Sequence, residues 1–443
     1  MLRTLQDWFK DRWNNLDIFD ETFVKEAESN PFYTVGGLFY FTWLIVIVTG
    51  VYLMLYYVPT TDQAFASVLR IQNEIPLGWI FRGFHKYGAD AMIILATIRV
   101  YRMIVTGEYK RPRELTALFG ILALVLCMYS GLTGYLLIWN QRAFWATKVF
   151  ATFPTYLDQV PKFIPGADLI NNLNIGKTTA QVLLGGTAIG QATITRFYSF
   201  HFAFSAIFLI LIEYRFWRLG IAAKRMNLKG HGYLIIVLLL LTVAILLPAQ
   251  LGRPSDPEQT PLPIFSDWYF LALYQMMKLQ HPFLATVVTM GIPVFAISVI
   301  LFDQRKEKLW YQRPVPTMVS LAGFINYVVF SFMIILGIAD IKRDPPLWYL
   351  GWIVFLFIGY FWDWMYVSKR DHIKNRWSLY HPLVLLFLIG AELANTAWFY
   401  LWGTPWWGIL LALGLLVMAA SIGIGVLKAI VGRFRSRENL VTA

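Results

Sequence analysis

The sequence predicts an all-α, polytopic membrane protein with about ten transmembrane helices, and three observations predict it. Of 443 residues, 58% are hydrophobic and only 14% are charged, which is more apolar surface than a soluble domain can hide. Apolar runs of about 20 residues, each long enough to cross a hydrocarbon core, recur along the chain. Lys and Arg crowd into alternate connections between those runs, as the positive-inside rule describes. A mean hydropathy of +0.55 agrees, and the aromatic side chains, 17% of the chain, suit interfacial belts.

The elements follow in order. Residues 1–31 carry the charged and aromatic stretch LQDWFKDRWNNLDIFDETFVKEAE, unlike the apolar core of a cleavable signal, and read as a cytoplasmic amphipathic segment lying in the interface. Apolar runs at 33–57, 79–104, 114–139 and 197–218 predict a four-helix domain over residues 32–220. Runs at 232–251, 283–302 and 316–341 predict a three-helix domain over 221–345, and runs at 347–368, 379–402 and 406–429 predict three further helices and a basic tail over 346–443. The basic clusters GEYKRPRE, AAKRMNLKG, DQRKEKLWYQR, SKRDHIKNRW and GRFRSRE fall on one side and place both termini in the cytoplasm. The net charge of +12 is thereby accounted for by topology, which argues against nucleic acid as a partner. The opposite side carries two long connections, about 140–196 and 252–282, which suggest a docking and ligand surface. A single cysteine, Cys127, excludes an internal disulfide and any cysteine-held cluster, and reads as a small core residue.

Two apolar runs carry the chemistry. His85 lies in GWIFRGFHKYGADAMIILATIRVYRM and His201 in TRFYSFHFAFSAIFLILIEYRFWR. Arg99 and Arg215 follow them by fourteen residues each, nearly four helical turns or about 21 Å on almost the same face. That spacing stacks two sites through one bilayer. A haem held by two imidazoles needs histidines on different helices, small residues where the flat macrocycle passes, and cations for its propionates. His85 and His201 supply the first, Gly50 and Gly134 the second, Arg82 and Arg196 the third. Arginine has no lone pair for a metal and stays protonated. The chain thus reads as laid out for two haems and equipped for one.

The chain resembles cytochrome b of the quinol-oxidising bc-type complexes, most like its short, plastid-type branch. DQAFASVLRIQNEIPLGWIFRGFH, TGEYKRPRELT, GLTGYLLIWNQRAFWA and GQATITRFYSFH carry the resemblance over residues 1–220, and DPEQTPLPIFSDWYF carries it over 230–345. The last three predicted helices have no counterpart in that branch. The resemblance implies that His85 and His201 are the ligands of the outer b haem. It places the inner haem's ligands at 99 and at 215 or 216, where this chain has Arg99, Arg215 and Phe216. Gly36 and Gly120 match the inner-haem glycines, so the room remains where the ligands are gone. Thr34 stands where the plastid-type branch attaches an extra haem through cysteine, so that haem is not supported. For the inner site three readings stay open: arginines snorkelling to the interface, arginines binding an anionic group such as a lipid phosphate or a quinone oxygen, or a haem with unusual ligands.

The resemblance also implies quinol oxidation near the outer surface. The family's Pro-Glu-Trp-Tyr appears as Ser266-Asp267-Trp268-Tyr269, which keeps a carboxylate with one methylene less reach. Asp267 and Tyr269 are therefore the candidate catalytic residues. Trp139 to Ala146 resemble the facing wall of the pocket, with Ile138 in place of a proline. His231, Asp371, His372 and His381 read as interfacial, while Asp90, Asp363 and Glu392 with Asn395 fall at membrane depth. The expected protein is a subunit of a multi-subunit complex in a prokaryotic cytoplasmic membrane, with a dimer among the expected forms. Its expected partners are a Rieske-type iron–sulfur protein, a c-type cytochrome or another extracytoplasmic redox subunit, besides lipid and quinone. Three functions fit: electron exchange between quinol and one outer haem without an ordinary Q-cycle, full bc-type turnover with an atypically held inner haem, or a haem-containing anchor for redox partners.

Overall fold

The computed structural model describes residues 35–110, 113–160, 166–218, 230–261 and 265–279, with isolated positions within 6–13, 286–300 and 327–335. The helices expected at 347–368, 379–402 and 406–429 lie outside the described residues, as do Asp363, Asp371, His372, His381, Glu392 and Asn395 and the side chain of His231. Residues 1–103 with 108–301 make one compact unit, and residues 104–107 with 302–443 make a second. The first unit holds both the histidine pair and the arginine pair.

The described residues of this unit are almost wholly helical. The helices are α1 (Val35–Met54), α2 (Ala64–Asn73), α3 (Gly78–Thr106), α4 (Glu114–Leu136), α5 (Gln141–Thr152), α6 (Ala167–Asn172), α7 (Ile175–Leu184), α8 (Gln191–Ser199), α9 (Ile207–Arg218), α10 (Gly230–Leu246) and α11 (Leu271–Leu279). Three apolar stretches, Val35–Met54, Glu114–Leu136 and Gln191–Phe216, have the length and composition to cross a membrane. At 29 residues α3 is longer still, about 44 Å, but it carries Arg82, Lys86, Asp90, Arg99 and Arg102. Arg82 and Arg99 are buried, Lys86 pairs with Asp90 and Arg102 with Glu108, so the charges are engaged within the protein, as charges at membrane depth must be. Val48 and Val51 on α1, Leu55 just beyond it, and Leu234, Ile235, Leu238 and Leu239 on α10 are exposed, an apolar exterior suited to lipid rather than water.

The helix holding His201 is not straight. Between α8 and α9 the chain makes a π-helical stretch, Phe200–Ala206, with His201 inside it. A π turn takes in an extra residue and shifts the phase of everything after it. The α4 helix packs along α8, the π stretch and α9. The connection at 140–196 is itself structured. It folds into α5, a 3₁₀ turn at Pro154–Asp158, α6 and α7, with α7 packed on that turn and on α5. The side chain of Asn140 starts α5 by accepting from Ala143 N at 2.7 Å, an N-cap worth about 1 kcal/mol.

Candidate functional site

At the histidine end, His85 on α3 and His201 on the π stretch approach each other with ring centroids 6.0 Å apart and planes at 72°. Two matching supports hold them. His85 Nδ1 lies 3.0 Å from the Val46 carbonyl and 3.3 Å from the Thr49 hydroxyl on α1. His201 Nδ1 lies 3.0 Å from the Ser130 carbonyl and 3.4 Å from the Thr133 hydroxyl on α4. A carbonyl only accepts, so each Nδ1 carries the proton and each Nε2 keeps its lone pair, the tautomer a metal ligand needs. The residue after each threonine is glycine. A Cβ at Gly50 would stand 3.0 Å from His85 Cε1, and one at Gly134 only 2.5 Å from His201 Cε1. Two rings this close, each with its Nε2 lone pair free, could both reach one metal ion bound between them. The donor set, its tautomers and its glycines therefore fit a metal-centred macrocycle between the rings.

The two arginines assigned to propionates are held by protein oxygens. Arg82 donates to Gln72 Oε1 at 2.7 Å and to the Ala249 and Gln250 carbonyls at 2.5 and 2.9 Å, tying α3 to α2 and to the segment after α10. Arg196 donates to the Val182 carbonyl near the end of α7.

The arginine end is built differently, and the two arginines do not face each other. The Arg99 guanidinium is buried and lies over the Phe216 ring at 3.7 Å, with the Phe39 ring 5.7 Å away. It forms an ion pair with Glu213 at 3.5 Å. Arg215, 1% exposed, turns to the N-terminal segment. It donates to the Trp13 and Arg12 carbonyls at 2.5 and 2.7 Å and lies over the Trp13 ring at 4.5 Å. Arg12 in turn pairs with Glu114 at 3.0 Å. The π stretch explains the difference from the fourteen-residue expectation: its extra residue puts Phe216, not Arg215, opposite Arg99. Beside Gly36 a Cβ would meet nothing within 4 Å, and beside Gly120 only Met103 Sδ at 3.9 Å. Arg99 and Phe216, at positions aligned with inner-haem ligands, offer no lone pair for a metal and touch each other. Glu213, at the centre of this cluster, is a residue that the spacing argument misses. Its signal is a carboxylate inside the apolar run LILIEYRFWR.

The third cluster lies where Trp139–Ala146 meet Ser266–Tyr269. The Asn140 amide donates to the Leu251 carbonyl at 2.6 Å, Gln141 N to the Arg253 carbonyl at 2.9 Å, and Ser255 N to the Trp139 carbonyl at 3.1 Å. Trp139 takes a left-handed backbone, φ 54°, a strained choice for a bulky residue that such bonds must hold in place. Arg142 donates to the Ser266 carbonyl at 2.8 Å and pairs with Asp267 at 3.6 Å. Burial raises the Asp267 carboxyl above the usual carboxylate range, while Arg142 and then Lys86 pull it back. Burial, with Asp267 and Asp90 nearby, also holds the Tyr269 hydroxyl well above its ordinary value. Tyr269 Oη sits against α4, 2.9 Å from where a Cβ on Gly131 would be, one residue from the carbonyl that holds His201. Arg142, Lys86 and Gly131 complete a cluster that the motif alone did not reveal.

Fold and site together define a helical membrane protein with a bis-imidazole centre beside a carboxylate–tyrosine pocket. The cytochrome b/b6/petB family model matches residues 22–220, and the cytochrome b (C-terminal)/b6/petD model matches residues 254–361. The chain is 36% identical over 210 residues to cytochrome b6 of Cyanidium caldarium, covering 46% of this chain and 91% of that one. It is 34% identical over 298 residues to the cytochrome bc complex cytochrome b subunit of Chlorobaculum thiosulfatiphilum, covering 61% of this chain and 66% of that relative's length. The structure of a hyperthermophilic respiratory Complex III shares the fold, with a TM-score of 0.62 at 24% identity over 83% of this chain and 96% of that one. The chain belongs to the cytochrome b/b6 family.

Proposed function

We propose that this protein is a membrane electron-transfer subunit that works with quinol or quinone near the outer face, holds a single b haem between His85 and His201, and exchanges electrons with an extracytoplasmic redox partner without an ordinary Q-cycle. One contrast carries the reading. The histidine rings stand 6.0 Å apart with their protonated nitrogens turned to backbone carbonyls, whereas Arg99 and Phe216 close on each other at 3.7 Å. A b haem bound between the imidazoles supplies one-electron redox chemistry. The chain's own residues do the rest. Asp267 takes a quinol proton, Tyr269 hydrogen-bonds within the same pocket, and Arg142 holds the Asp267 segment against α5. Gly50 and Gly134 keep side chains away from the rings.

The partners this reading implies are a Rieske-type iron–sulfur protein and a c-type cytochrome, in a multi-subunit complex of a prokaryotic cytoplasmic membrane with both termini cytoplasmic. The relatives that support it are a cytochrome bc complex subunit and a cytochrome b6. The test of the pocket is Asp267→Asn in native membranes, followed by quinol-dependent reduction of the b absorption. The rate should fall about 10²-fold, the usual share of a positioned acid–base group, with the oxidised spectrum unchanged. An unchanged rate contradicts the assignment.

A further inference from the structure

The quinol chemistry proposed for Asp267 and Tyr269 does not use Asp90. It lies on α3 five residues beyond His85, and both its oxygens are engaged. Oδ2 accepts from Lys86 Nζ at 2.7 Å, one turn back on the same helix, and Oδ1 accepts from the Trp268 indole Nε1 at 3.1 Å. One carboxylate thereby fastens the helix that carries His85 to the segment that carries Asp267. Lys86 is more than a third exposed, so the pair adds little to stability. Its effect is on position and on local charge.

The groups around Asp267 come from four elements. They are Arg142 on α5 at 3.6 Å, Lys86 and Asp90 on α3, Tyr269 on its own segment, and Tyr135 on α4. Arg142 and Lys86 favour the charged carboxylate, and Asp90 disfavours it. Asp90 acts twice in one direction. It adds a negative charge near Asp267, and it holds the Lys86 ammonium in an ion pair at 2.7 Å.

We propose that Asp90 is a positioning residue of the quinol pocket, tying Trp268 to α3 and pairing with Lys86, and so governing how readily Asp267 takes a quinol proton. The proposal rests on the quinol function proposed for this pocket. In the step concerned, the quinol O–H bond breaks, the proton passes to the Asp267 carboxylate, and the bonding pair stays on the quinol oxygen. An aspartate in place of the family's glutamate reaches less far, and a proton affinity brought toward the working pH makes the shorter base more effective.

The experiment is the pH–rate profile of quinol-dependent reduction in native membranes for wild type, Asp90→Asn and Asp90→Glu, alongside an infrared titration of the carboxyl band that Asp267→Asn removes. The carboxylate is the active form, so the rate rises with pH through the Asp267 titration. Asp90→Asn should move that acid limb and the infrared titration to lower pH, and Asp90→Glu should restore both. At the pH where wild type runs at half its maximum, Asp90→Asn should gain up to about twofold relative to its own maximum. A limb and band that stay in place or move upward, with the b spectrum intact, overturn the proposal. If Asp90→Asn does not assemble, Lys86→Gln decides: the limb moves to higher pH if the proposal holds and stays in place if it does not. Absence of any quinol-dependent rate in wild type counts against the quinol reading, while the infrared titration still tests the electrostatic link alone.

Discussion

At the scale of single residues, the two ends of the bundle differ in what their neighbours permit. Val46, Thr49 and Gly50 on α1 repeat the pattern of Ser130, Thr133 and Gly134 on α4, each set supplying a carbonyl, a hydroxyl and a bare Cα to one imidazole. The histidines, the glycines and the SDWY segment were legible in the sequence because each is a residue type at a revealing spacing. The carbonyls that fix the tautomers were not, since every residue has one. Equal substitutions should therefore have unequal effects. Gly134→Ala sets a methyl 2.5 Å from His201 and should lower the b-haem content of purified protein. Gly36→Ala adds the same methyl where nothing lies within 4 Å and should leave it unchanged. His85→Ala should abolish the b spectrum altogether, and a persisting spectrum would refute the ligand assignment.

At the scale of elements, the π stretch Phe200–Ala206 decides which residues meet. Counting fourteen residues along a straight helix pairs Arg99 with Arg215. The extra residue in the π stretch pairs Arg99 with Phe216 and leaves Arg215 to hold the Arg12 and Trp13 carbonyls of the N-terminal segment. FHFAFSA carries no local signal for that stretch; only the family resemblance, which allowed 215 or 216, put Phe216 among the facing residues. Glu213 likewise has no visible role until its partner is in view. The Arg99–Glu213 side chains are 10% and 2% exposed, so removing one charge strands the other away from water. Glu213→Gln should cost about 3 kcal/mol and lower the thermal midpoint of the purified protein, while the b spectrum at the other end remains. An unchanged midpoint would mean that the pair does not hold the arginine end together.

At the scale of the molecule, membrane class, helical fold and the order of the first five apolar runs could be read from hydropathy and charge, because lipid imposes long apolar helices and leaves few alternatives. The stretch at 140–196 was harder. Its helices are short and partly polar; Asn140, Gln141 and Arg142 at the start of α5 grip the chain at 251–266, more than a hundred residues away in sequence, and Asp158 accepts from Gly176 N and Lys177 N at the start of α7. Tyr269, against Gly131, brings the carboxylate pocket to α4 beside the His201 support. One end of the bundle thus gathers a pocket and an imidazole pair, and at the other Arg99 meets Phe216 and Glu213. The central claim, one haem per chain, is tested most directly by the pyridine haemochrome ratio of the purified, full-length protein. The expected result is one b haem per chain, lost in His85→Ala. Two per chain would contradict it.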